Sequence, residues 1–108
     1  MNVYEEAHSL ERAIKGSDEY RQFKSLKEKI DSDEHLKKMM DDFHGKQLEL
    51  QAKQMMGQEV TEEATKAIQD LYQIILKDPV AAEYMQAEMR FSVMMQDVYN
   101  ILGEVVGA

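Results

Sequence analysis

From Pro79 onward, apolar residues return at alternating fourth and third positions for more than three heptads. The series is Val80, Tyr84, Ala87, Phe91, Met94, Val98, Ile101 and Val105. That spacing draws one stripe along an α-helix; a strand, whose side chains alternate with a period of two, cannot present it. A second apolar series lies beside the first: Ala81, Met85, Met95, Tyr99, Leu102 and Val106. Together the two stripes are wider than the face that one neighbouring helix covers. Either the rest of the chain folds over both, or another chain covers one of them. Long helices leave a thin core in 108 residues, which favours the second arrangement.

The remaining sequence keeps the same helical period. Val3, Ala7, Leu10 and Ile14 share a face of a first helix that Gly16 is expected to end in a left-handed cap. Ser17 can cap a second helix whose buried face is Tyr20, Phe23, Leu26 and Ile30, with Asp18 and Glu19 in its first turn. Asp31, with Glu34 three residues on, resembles a capping box and is expected to start a third helix. Leu36, Met40, Phe43, Leu50 and Met55 mark that helix, which tolerates Gly45 and ends at Gly57. Thr61 caps a fourth, striped by Ala64, Ile68, Leu71 and Ile75. Asp78-Pro79 is an N-cap followed by proline at the first helical position, where a missing N–H does no harm. The fifth helix then runs to about Val106. The expected fold is all-α: a single domain over residues 1–108, an antiparallel bundle of about five helices with a long C-terminal helix, and oligomeric.

Composition narrows the function classes. There are 13 Lys and Arg against 21 Asp and Glu, a formal net charge of −8. Residues 1–54 hold ten basic and twelve acidic residues; residues 55–108 hold three basic (Lys66, Lys77, Arg90) and nine acidic. A nucleic-acid binder or a basic membrane-surface helix needs a cationic face, and neither half supplies one. No nucleic-acid or membrane partner is expected. Cysteine is absent, so disulfides, thiolate metal sites and a Cys nucleophile are excluded. The residues from Met1 to Glu6 lack the basic and apolar regions of a signal peptide, and a cytoplasmic location is expected.

The search for catalytic chemistry is mostly negative. Glu5 and His8 form Glu-x-x-His, the spacing of carboxylate-bridged di-iron bundles, but the nearest second pair is Asp41-x-x-His44, with the shorter acid. Both pairs lie off the apolar stripes or at their margin, and helix-surface ion pairing accounts for them. The glycines are isolated, so no phosphate-binding loop exists, and no serine sits in a nucleophile elbow. Adjacent acids such as Asp41-Asp42 and Glu62-Glu63 point in different directions on a helix. No catalytic residue, metal ligand or cofactor is therefore assigned, and no enzymatic activity is expected. Two other readings stay open: a metal-dependent enzyme using Glu5, His8, Asp41 and His44, and a holdase-like chaperone with methionine-rich grooves.

Nine methionines include the pairs Met39-Met40, Met55-Met56 and Met94-Met95, and methionine suits surfaces that accept partners. The expected association surface is Phe91, Met94, Met95, Val98, Tyr99 and Leu102. Met55 and Met56, beside the loop through Gly57, form a second candidate surface.

Three stretches resemble one family: Leu10 to Tyr20; Phe43, Gln47, Leu48, Leu50, Gln51, Lys53, Gln54 and Met55 followed by Gly57, Glu59, Val60 and Thr61; and Met85, Ala87, Glu88, Arg90, Ser92 and Met94. Their order and spacing are similar to those of the YlbF/YmcA family of small helical proteins of Gram-positive bacteria, in its YheA-like branch. The resemblance spans about residues 8 to 102. It implies an all-helical, self-associating fold with no known enzymatic activity. Members of the broader family act in a complex that influences competence, sporulation and biofilm formation and works with the ribonuclease RNase Y. Their cysteines are linked to iron–sulfur clusters; this chain has none, so no cluster is carried across. A homodimer or higher homo-oligomer, with protein partners in a regulatory complex, is what the resemblance implies.

Overall fold

A computed structural model describes residues 1–107. Five α-helices account for nearly all of them: α1 (Val3–Lys15), α2 (Asp18–Asp31), α3 (Glu34–Met55), α4 (Glu62–Leu76) and α5 (Pro79–Gly103). A single turn of 3-10 helix, Glu104–Val106, follows, and there is no strand among the described residues. The expected all-α class and the number of helices are both found.

Each helix starts where a short polar side chain can accept from exposed backbone N–H groups. Asn2 Oδ1 accepts from Tyr4 and Glu5 N–H at 2.8 and 3.3 Å. Ser17 Oγ accepts from Tyr20 N–H at 3.2 Å, and Thr61 Oγ1 accepts from Ala64 N–H at 3.1 Å. Asp78 Oδ1 accepts from Ala81 N–H at 3.0 Å, two residues past Pro79. The start of α3 differs from the expectation. Asp31 is the last residue of α2, and the cap is Asp33, whose Oδ1 accepts from His35 and Leu36 N–H at 3.0 and 3.1 Å. A single carboxylate oxygen of Asp33 thus serves two of the open N–H groups of the first turn, with no reciprocal bond from a glutamate.

The end of α1 also differs. Gly16 is right-handed, with φ −87° and ψ −4°, so no left-handed cap forms. Its carbonyl instead accepts from the Arg21 guanidinium, with Nε at 3.1 Å, which satisfies a group the helix end leaves open. Gly57 does take the left-handed conformation, at φ +72°, and closes α3 as expected.

The helices form two compact units: Met1–Glu28 with Tyr84–Ala108, and Lys29–Glu83. In the second unit α3 and α4 make an antiparallel pair. Phe43 stacks on Tyr72 at 5.9 Å, and Leu50 lies opposite Ala64 and Ile68. Ile30, Leu36, Met39, Met40, Phe43, Ile75 and Ala81 are buried here, Ile75 completely. The first unit pairs α2 with α5, again antiparallel, through rings. Phe23 stacks on Phe91 at 5.1 Å and on Tyr84 at 5.7 Å, and Tyr20 tilts against Phe91 at 5.8 Å. Among the described residues of this unit, only Tyr84 and Ala87 are buried.

Helix α1 buries nothing fully. The face expected to be covered is half-buried at Leu10 and Ile14 and exposed at Val3 and Ala7. Its polar side is held by short-range pairs: His8 Nδ1 lies 3.1 Å and Lys15 Nζ 3.2 Å from the Glu11 carboxylate. The His8 and Lys15 hydrogen bonds hold the Glu11 carboxyl below its ordinary range.

Candidate interaction surface

Helix α5 carries the residues expected to associate, and its burial is graded along its length. Ala81, Tyr84 and Ala87 are buried. Phe91, Met94, Met95 and Val98 are half-buried. Tyr99 is 60% exposed and Leu102 52%, and Ile101, Val105 and Val106 are exposed as well. The two apolar stripes therefore start inside the chain and emerge onto its surface within one continuous helix. The physical reason lies in the opposing elements. In the first unit α2 offers Tyr20 and Phe23, which meet α5 no further along than Phe91. Further along, α1 offers only a thin face: Val3, Ala7 and Leu10 line one apolar recess together with Leu102.

The expected association residues thus grade from occupied to exposed. Phe91 is occupied within the chain by its stack on Phe23. Tyr99 and Leu102 stand in water, and Met94, Met95 and Val98 lie between these extremes. Met55 and Met56, at the end of α3, are exposed at 87% and 72%. Met89 and Val93 are exposed too, and the spacing argument missed them because they lie off the heptad seam, on the flank of α5.

The candidate metal residues are placed otherwise. His8 is engaged by Glu11 rather than by Glu5, and the His44 ring lies against Phe43 at 6.1 Å. No group of three or more His, Asp or Glu side chains able to hold a metal ion is found among the described residues. No buried side-chain polar atom lacks a hydrogen-bond partner among them either. No described helix is long and apolar enough to cross a membrane.

Residues 3–106 match the family described as control of competence regulator ComK, YlbF/YmcA. This chain belongs to the YlbF/YmcA family. Within the family it is YheA-like. It is 46% identical over 105 residues to a UPF0342 protein of Caldicellulosiruptor saccharolyticus, covering 97% of this chain and 88% of that one. A UPF0342 protein of Symbiobacterium thermophilum is 40% identical over 104 residues, covering 96% and 93%. Among solved structures, a protein of unknown function (DUF964) from Bacillus stearothermophilus superposes with a TM-score of 0.83 at 25% identity, covering 97% and 92% of the two chains. YheA from Bacillus subtilis gives 0.69 at 23% identity, covering 99% and 97%. Bacillus subtilis RicA, solved in complex with RicF, gives 0.60 at 16% identity, covering 97% and 93%, which is a likeness of fold. None of these YlbF/YmcA-family relatives has an enzymatic name.

Proposed function

We propose that this YlbF/YmcA-family chain is a non-enzymatic cytoplasmic adaptor that self-associates through the emerging end of α5 and offers a docking surface to a regulatory assembly. The observation that carries this reading is the graded burial of α5, whose apolar stripes are buried at Ala81, Tyr84 and Ala87 and exposed at Tyr99, Ile101 and Leu102. Burying one such side chain contributes ~1.5–3 kcal/mol, and several together offset the translational and rotational cost of association. The contact surface is Met94, Met95, Val98, Tyr99 and Leu102, with Phe91 as the buttress beneath; Met55 and Met56 form a second surface for a different protein. The family's description as a competence regulator supports a regulatory role, and RicA's complex with RicF supports a protein as the partner.

Sedimentation equilibrium tests the self-association. Wild type at micromolar concentration is expected above monomer mass. Tyr99→Glu and Leu102→Glu are each expected to sediment as monomers while the helical circular dichroism is kept. A monomeric wild type overturns this part of the reading.

A further inference from the structure

A different flank of α5 forms an open trough with the start of α2, entirely within the first unit. Its floor is Met89, Val93 and Met94, with Met89 exposed at 67% and Val93 at 57%. Asp18 and Glu19 edge it from α2, and Asp97 edges it from α5. The cation on this rim, Arg90, donates from Nη1 to Oε1 of Gln22, which also lines the trough, at 3.0 Å. The trough is about 680 Å³, room for several side chains, and too open to close around a small molecule.

Three carboxylates, Asp18, Glu19 and Asp97, against one guanidinium leave the rim acidic. The floor is methionine and valine, and unbranched, polarisable methionine accommodates varied apolar side chains. Met89, Val93 and Asp97 follow one another at four-residue spacing along a single flank of α5. An acid-edged, methionine-floored trough about two turns long complements a helix with the reverse pattern: a row of apolar residues bordered by Lys or Arg.

We infer that this trough is the docking site for a basic amphipathic helix of a partner protein. The inference rests on the adaptor reading and gives it a partner of stated chemistry, at a flank that excludes Tyr99 and Leu102 and shares only Met94 with the proposed association surface. Apolar anchors seat on Met89 and Val93, and flanking cations approach Asp18, Glu19 and Asp97. Because the rim is exposed, the electrostatic part weakens with salt while the apolar part persists.

The test uses the full chain and a labelled Leu/Lys amphipathic peptide of about five helical turns, with a same-composition scramble as control. Fluorescence anisotropy is expected to show the amphipathic peptide binding at least about tenfold more tightly than its scramble. Met89→Ser/Val93→Ser and Asp97→Lys should each weaken it about tenfold or more, the size of a central interface truncation. Glu59→Lys, which makes the same change of net charge in the α3–α4 connection, should change it less than about twofold. Circular dichroism checks that each variant stays helical. Equal losses in Glu59→Lys and Asp97→Lys, or equal binding of peptide and scramble, reduce the effect to bulk charge and overturn the inference. Sedimentation of the same variants separates the two proposals. If Met89→Ser/Val93→Ser converts an oligomer to monomer, the trough's occupant is a second copy and the inference falls. If the trough variants lose the peptide but keep wild-type mass, it stands, whatever the outcome at Tyr99 and Leu102.

Discussion

At the scale of single residues, the helix boundaries are set by hydrogen bonds from a few short polar side chains. Asp33 shows how fine the decision is. Asp31 and Asp33 are both competent caps, and the spacing to Glu34 favours Asp31. In the folded chain Asp31 completes α2, while Asp33 Oδ1 takes two N–H groups of α3. Removing a cap of this kind costs about 1 kcal/mol. Asp33→Ala is therefore expected to lower the unfolding free energy by about that amount in urea denaturation, and Asp31→Ala by well under half as much. Equal losses would return the cap to Asp31. Ser17, Thr61 and Asp78 were legible in advance because each is the sole candidate at its break. Gly16 was not, because its end state depends on Arg21, five residues away and reaching back to the Gly16 carbonyl.

At the scale of elements, α5 is one helix with two environments. Up to Phe91 it is met by the rings of α2; past Val98 its apolar residues outnumber what α1 can cover. Phe23 joins α2 to α5 through two ring stacks, at 5.1 and 5.7 Å. Phe23→Ala deletes both at a half-buried position and is expected to destabilise by about 2–3 kcal/mol, somewhat below the loss at a fully buried phenylalanine. Thermal denaturation followed by circular dichroism reads this, and a loss below about 1 kcal/mol would mean that the rings do not hold α2 to α5. The heptad seam predicted this helix and its two stripes, but the α-helix stops at Gly103 rather than near Val106, and Val105 and Val106 fall in the 3-10 turn that follows. It could not say where the stripes pass from core to surface, because periodicity records which residues share a face and not what stands opposite. Met89 and Val93 escaped for the same reason: they are off the seam, and only α2's placement makes a trough of their flank.

At the scale of the whole molecule, the core is unevenly shared. The second unit holds Ile30, Leu36, Met39, Met40, Phe43, Ile75 and Ala81, while the first, among its described residues, holds Tyr84 and Ala87 alone. If a second copy covers the exposed stripe, as proposed, this unit gains stability by association, and stability gained that way rises with protein concentration. The midpoint of thermal unfolding is expected to climb over a hundredfold rise in concentration, and to stay constant for Leu102→Glu. Hydrogen exchange at low concentration should open the amides of α1 and the end of α5 before those of α3 and α4. A wild-type midpoint independent of concentration would mean that the first unit is stable without a partner. Sequence alone determined the all-α class, the five helices, most of their caps and the family, because local hydrogen bonding and a 3.6-residue period are properties of neighbouring residues. Tertiary structure alone decided that Asp33 caps α3, that Phe91 is occupied by Phe23, and that Tyr99 and Leu102 emerge into water. The first depends on where α2 ends, and the other two on which side chains are brought face to face across long stretches of chain.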